Sequence, residues 1–280
     1  MRIYKVIKGI YHVKGFSPDG DSIRFEAEDP ANWDFFRWKK QKNKDRRKKQ
    51  LRIEAIDALE THYKGVSQPR AFAIAALERM LALLGISNIE YNLLVTKINN
   101  ANDKTPGYIV SAALDAFDRP LCFAFPDISG FVDGDEIQST EIPLADSINF
   151  TLARDGIVYP TFYTTMEEGI IEEFRQIVLS AKNDRRGIWA IDRTHGFTLW
   201  NTRTVQEDVV ILPKLFRRFI SFFDNRTQFE EFPDFLASNE DPVVLRDGTE
   251  SSLDKLLQKE GNFYALTVPP EDIIFKPKQT

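Results

Sequence analysis

The chain has 280 residues, 42% of them hydrophobic and 28% charged, with a formal net charge of −5. That length accommodates roughly two domains with buried cores, and the composition excludes a disordered chain. A single cysteine, Cys122, and three scattered histidines exclude an internal disulfide, a multi-cysteine zinc site and a His-based metal cluster. No apolar run reaches the ~18 residues of a membrane span. Charges at Arg2, Lys5 and Lys8 interrupt any signal-peptide core, so a cytoplasmic protein is expected.

Residues 2–14 are rich in β-branched and aromatic side chains and read as a strand. Ser17-Pro-Asp-Gly-Asp21 is a turn, and 22–26 alternates as the second arm of a hairpin. Residues 28–50 read as a long polar loop inserted before a third strand at 51–56. A helix is predicted over 67–84, with Ser67 as N-cap, Pro69 in the first turn, Phe72, Ala76, Met80, Leu83 and Leu84 at helical spacing, and Gly85 as the stop. Strands follow at 88–98, 108–114 and 121–125, with loops at 99–107 and 126–141. Helices are predicted near 143–155 and 166–183; acidic residues open the second and basic ones close it, which suits the helix dipole. The pattern restarts after Thr194: strand at 208–212, helix at 213–223, helix at 249–259, strand at 262–268. This divides the chain into 1–194 and a small α+β accessory domain at 195–280.

Charge is unevenly spread. Residues 37–50, RWKKQKNKDRRKKQ, hold nine Lys/Arg and one Asp, a charge of +8, which leaves −13 for the rest. A dense basic stretch in an acidic chain points to a local polyanion contact; a solvated loop is the plainer alternative. Lys39, Lys40, Arg46, Arg47, Lys48 and Lys49 are the expected nucleic-acid contacts. Trp33, Phe35, Phe36 and Trp38 just before them suit packing on the strands, with stacking on bases as the other reading. The 213–223 helix is basic and amphipathic, read as accessory-domain core ahead of a membrane-surface helix.

The order of strands, helix, strands and helices fits an OB-type barrel decorated with helices. Charged residues fall at its strand ends: Asp19 and Asp21 in the first hairpin, Arg52 on the third strand, Asp57 and Glu60 just after it, and Arg119 before a later strand. Carboxylates there are hard oxygen ligands suited to Ca²⁺ or Mg²⁺ and not to zinc. Two guanidiniums offer planar forks to a phosphate. A divalent ion with two guanidiniums stabilises the charge that builds on a phosphodiester, and a nearby carboxylate serves the attacking water.

At these residues the sequence resembles the staphylococcal nuclease (thermonuclease-like) family over about 10–192. The matching pieces are Asp19-Gly-Asp21-Ser22, Arg52-x4-Asp57-x2-Glu60, Asp115-x3-Arg119, Leu152-Ala-Arg154-Asp-Gly156 and Gly187-Ile-Trp189. The resemblance implies an α+β fold with a five-stranded OB barrel, and cleavage of DNA or RNA that leaves 3′-phosphates. It implies Ca²⁺ bound by Asp21, Asp57 and the backbone carbonyl of Ala58, with Mg²⁺ as the other candidate ion. It assigns Glu60 to the attacking water and Arg52 and Arg119 to the phosphate. Asp19 and Asp115 are read as structural. Ala116, Phe117, Asp118 and Pro120 depart from the family pattern around Arg119, and Phe162 or Tyr163 would frame the nucleotide. The alternative is a catalytically weak or inactive module of the same fold that binds nucleic acid or a protein partner, the latter through 195–280.

Overall fold

The computed structural model describes residues 2–38, 47–126, 130–224 and 231–277. In chain order its elements begin β1 (Ile3–His12), β2 (Ser22–Ala27), β3 (Lys48–Ile53), β4 (Ala55–Asp57), α1 (Arg70–Leu83), β5 (Ser87–Tyr91), β6 (Ile98–Asn102), β7 (Thr105–Leu114), β8 (Pro120–Pro126), β9 (Glu136–Gln138) and α2 (Ile148–Arg154). They continue β10 (Tyr159–Tyr163), α3 (Glu168–Asn183), β11 (Phe197–Thr198), α4 (Pro213–Phe223), α5 (Phe232–Ser238), β12 (Pro242–Leu245), β13 (Glu250–Ser252), α6 (Leu253–Leu256), β14 (Leu257–Glu260), β15 (Phe263–Leu266) and β16 (Ile273–Phe275). The chain is α+β and divides into two compact units, one of 1–54 with 77–152, the other of 55–76 with 153–280.

In the first unit β1, β2, β3, β8 and β7 pair in that order, and β7 returns to β1, closing a five-stranded barrel; β9 adds to β1 outside the ring. All pairings in the ring are antiparallel except β3 with β8, giving an OB-like topology. Closure follows from alternation: Val6, Tyr11, Ile23, Phe25, Leu51, Ile53, Ile109 and Phe123 are all buried. Where β1 bends to pair on both sides, Gly9 faces Gly107. A Cβ on Gly9 would lie 2.1 Å from the Glu26 carbonyl oxygen, and one on Gly107 2.3 Å from the Tyr11 ring. Only glycine permits that approach. The Tyr11 hydroxyl donates to the Tyr108 carbonyl at 2.8 Å, so the barrel's buried phenol is satisfied.

The second unit is built on a five-stranded sheet, β13-β12-β16-β10-β4, with β10 and β16 parallel. The division into units therefore does not fall at residue 194, because β4 and β10 share a sheet with C-terminal strands. A smaller sheet, β11-β15-β14, accompanies an aromatic core in which Phe219 of α4 stacks on Phe232 of α5 at 4.0 Å and meets Tyr264 of β15 edge-on at 5.2 Å.

Several elements differ from expectation. The 28–50 segment is not all loop: a 3₁₀ turn spans Pro30–Phe35, and β3 begins at Lys48. The strand expected over 88–98 is a hairpin, β5–β6, so 99–107 is strand for most of its length. Its turn, Asn92 to Lys97, is closed by the Asn92 side chain, which accepts from the Thr96 and Lys97 amides. No strand forms at 208–212, where Val210 makes only an isolated bridge to Asp192. The helix expected at 249–259 is four residues of α6 between β13 and β14. Phe72 stays off the buried face of α1, which is formed by Ala73, Ala76, Leu77, Met80 and Leu81. Helix α4 matches the predicted 213–223.

Candidate active site

In the first unit the hairpin turn sets the first carboxylate. Asp19 accepts from the Ser22 hydroxyl at 2.6 Å, which closes the turn and accounts for Asp19 as a structural residue. The Ile53 amide donates to the Asp21 carbonyl at 2.8 Å, and Ser22 pairs with Arg52 across β2 and β3. This register brings the buried Asp21 carboxylate onto the Arg52 guanidinium as an ion pair. Arg52 is also in register with Leu121 on β8, so Arg119, two residues before Leu121, lies at the same end of the barrel.

The turn bearing Arg119 is organised by Asp115. Its carboxylate accepts from the amides of Phe117 and Arg119 at 2.8 and 2.9 Å and from Arg119 Nε at 2.7 Å. Asp118 takes the left-handed conformation that an aspartate tolerates, at φ 59°. The Arg119 side chain remains 29% exposed, and its guanidinium lies 5.7 Å from the centre of the exposed Phe117 ring. Next to Ile53 lies Glu54, a buried carboxyl to which the sequence assigns no role. Burial raises its pKa to about 7 against the opposing charge of Arg2. One acidic residue at a strand end carries no pattern that would have singled it out.

In the second unit β4 ends at Asp57, which is fully buried and in register with Tyr159 of β10. Ala58 is buried, and Glu60 follows on a loop fixed by Gln68. The Gln68 amide donates to the Glu60 carbonyl at 2.9 Å, its side-chain oxygen accepts from the Glu60 amide at 3.2 Å, and its side-chain nitrogen donates to the Ile211 carbonyl at 2.8 Å. Both acidic side chains meet one cation, the guanidinium of Arg217 on α4. Arg217 donates to the two Asp57 oxygens at 3.2 and 2.8 Å and also to Glu60 Oε1. Burial disfavours the guanidinium's charge, but Asp57 and Glu60 outweigh it and hold the group above its ordinary range.

The other basic residues of α4 have separate partners. Arg218 makes a bidentate pair with the buried Asp241 at 2.6 and 2.7 Å. Lys214 lies 3.5 Å from Asp241 and 4.2 Å from the centre of the Phe275 ring, and burial lowers its pKa to about 8. Leu215, Phe216, Phe219 and Ile220 are buried, so the apolar face of α4 is core, as expected, and not a membrane face. Among the described residues no helix is long and apolar enough to cross a membrane.

Three of the six expected nucleic-acid contacts, Lys39, Lys40 and Arg46, lie outside the described residues. The other three are at the barrel. The Arg47 carbonyl accepts from the Trp33 indole at 3.1 Å, Lys48 pairs with Glu26 at 3.3 Å, and Lys49 is buried with its ammonium 4.6 Å from the centre of the Trp38 ring. Trp33 and Phe36 are buried, and Trp33 meets Phe25 of β2 edge-on, so these two rings pack on the barrel. Phe162 is buried in β10 and does not frame a nucleotide. The last two pieces of the resemblance meet: the Ile188 amide donates to the Gly156 carbonyl at 2.8 Å, and a Cβ on Gly187 would stand 2.3 Å from that oxygen.

Among the described residues no three His, Cys, Asp or Glu side chains gather as a metal-binding group. The donors that do converge, Asp57 and Glu60, are hard oxygens on one cationic centre. That chemistry fits Ca²⁺ or Mg²⁺, while two carboxylates alone make a weak site that a substrate phosphate would have to complete. Compared with known protein-family models and with curated proteins, the chain matches none.

Proposed function

We propose that the chain is a nuclease that hydrolyses phosphodiester bonds in DNA or RNA. The observation that supports this reading is the register of β2, β3 and β8, which brings Arg52 and Arg119 to one end of the barrel, where two planar guanidiniums suit a phosphate. Arg52 and Arg119, at one end of the barrel, bind the phosphate and stabilise its developing charge. Glu60 orients the attacking water and accepts its proton. By the resemblance alone, Asp21, Asp57 and the Ala58 carbonyl would be the residues to hold Ca²⁺, which would supply Lewis-acid stabilisation of the phosphoryl oxygens.

The test is digestion of plasmid and of RNA with Ca²⁺ against EDTA. Arg52→Ala and Arg119→Ala should each lose about 10²–10³ in turnover while remaining folded. A second reading, a barrel that binds nucleic acid without cutting it, is favoured by the seating of Arg217 on Asp57 and Glu60 and by Phe117, Asp118 and Pro120 around Arg119. Retention of labelled DNA with no cleavage in either buffer would establish that reading instead.

A further inference from the structure

The cation at Asp57 and Glu60 belongs to the chain itself, and it comes from a part of the sequence beyond the nuclease resemblance. Arg217 occupies both oxygens of Asp57 and one of Glu60, which are the oxygens a metal ion would need from this pair. We propose that Arg217 is a resident counter-ion that competes with divalent metal at Asp57 and Glu60, so that uptake of the ion requires withdrawal of its guanidinium. The inference rests on the nuclease reading for divalent metal as the competing ligand and for the choice of Ca²⁺.

Three features give the side chain this role. Its helix is anchored by the buried Leu215, Phe216 and Phe219, so the guanidinium is delivered from a fixed base. Beyond Glu60 the acidic loop is tied to the C-terminal end of the same helix, by Tyr63 with the Ser221 hydroxyl at 2.9 Å and by Lys64 with Asp224 at 2.6 Å. The flanking Lys214 and Arg218 are engaged with Asp241, which leaves Arg217 as the α4 cation aimed at Asp57 and Glu60. The oxygens of both carboxylates are committed to directional N–H donors. A divalent ion and Arg217 therefore contend for the same lone pairs, and each weakens the other's hold.

The test is calcium titration of the purified full chain by calorimetry, with the Ca²⁺-induced shift in melting temperature as a second readout. Arg217→Gln should tighten Ca²⁺ binding by about tenfold or more, a usual coupling between two ligands of one site. It should also make the melting temperature depend on Ca²⁺. Arg218→Gln, which breaks the neighbouring pair with Asp241, should leave Ca²⁺ affinity unchanged. If Arg217→Gln does not fold, Arg217→Lys takes its place; it keeps the charge, loses the fork and should still bind Ca²⁺ more tightly than the parent. Equal affinity in the parent and the Arg217 variants, or equal tightening by Arg218→Gln, overturns the proposal. Plasmid digestion by the same proteins judges the nuclease reading separately: a variant that gains calcium but does not cut leaves the competition standing and refutes the nuclease. Cutting without any gain in affinity does the reverse.

Discussion

The two units hold their arginines in different ways. In the first, Arg52 pairs with Asp21 and Arg119 with Asp115, between residues that are near in sequence or in strand register. In the second, Arg217 is shared by two carboxylates from another stretch of chain, and Asp57 is fully buried. A partly exposed pair such as Arg119 with Asp115 leaves its arginine available to an incoming phosphate at small cost to the fold. A guanidinium shared by two carboxylates, one of them fully buried, is part of the fold, and any cation that replaces it must match its contribution. The same side chain thus sits in a partly exposed pair in one unit and against a fully buried carboxylate in the other.

The sharpest way to break this comparison is to remove one arginine from each unit. Arg217→Ala removes the guanidinium shared by Asp57 and Glu60, and removing one partner from a buried pair costs about 3–5 kcal/mol. Arg119→Ala breaks a pair whose arginine is 29% exposed, so its cost to stability should be about 1 kcal/mol or less. Urea unfolding of the two variants beside the parent gives both numbers. Equal costs would show that the two pairs are of one kind and that burial of Asp57 does not set the difference.

How much of this was legible depends on where each partner lies. The barrel strands announce themselves by alternation, and α4 by its spacing of Leu215, Phe216, Phe219 and Ile220. Asp115 with Arg119 is a local motif within reach of the sequence, whereas Asp21 with Arg52 depends on the register of β2 with β3, two strands separated by about twenty residues. The Asp57–Arg217 pair joins residues 160 positions apart. Nothing in a basic amphipathic helix says which of Lys214, Arg217 and Arg218 faces which acid. The second unit's sheet was missed for a related reason. Strands β4, β12, β13 and β16 are three or four residues long, too short to show a period. The basic run misled in the opposite sense, since its composition reads as loop while its last two lysines belong to β3.

A carboxyl whose charge burial opposes sharpens the comparison from the other side. Glu54 of the first unit is raised from 4.5 to about 7 by burial, only partly offset by Arg2. In the unfolded chain it ionises near its ordinary value, so between about pH 4.5 and 7 the folded state binds the extra proton. Stability contributed by the protonated form is full below the lower value and falls as pH rises through the upper one. At 1.36 kcal/mol per unit the fall approaches about 3 kcal/mol above pH 7. Glu54→Gln should flatten this decline, gaining stability at pH 8 and little at pH 4. Thermal melts of both proteins across that range test it, and parallel curves would mean that Glu54 is already compensated in the fold, as Asp57 is.

The smallest expected effect divides the basic run within itself. Lys48 and Lys49 lie on β3, one paired with Glu26 and the other against Trp38, so Lys49→Gln should cost the fold about 1–2 kcal/mol, the worth of a desolvated cation–π interaction. Lys39, Lys40, Arg46 and Arg47 precede the strand in a run dominated by one sign of charge. Their joint neutralisation should leave the unfolding midpoint in place and weaken binding to long duplex DNA. The log–log salt slope should flatten by about 0.9 for each phosphate that is no longer neutralised. Turnover of a dinucleotide-sized substrate should not change, because phosphate contacts of this kind position the chain on DNA and do no chemistry. Binding measured at two salt concentrations for the four-residue variant and for Lys49→Gln separates the two roles. A flatter slope from Lys49→Gln alone would transfer the polyanion contact to the strand. An unchanged slope in the four-residue variant would make the run a solvated segment and return the nucleic-acid contact to Arg52 and Arg119 at the barrel end.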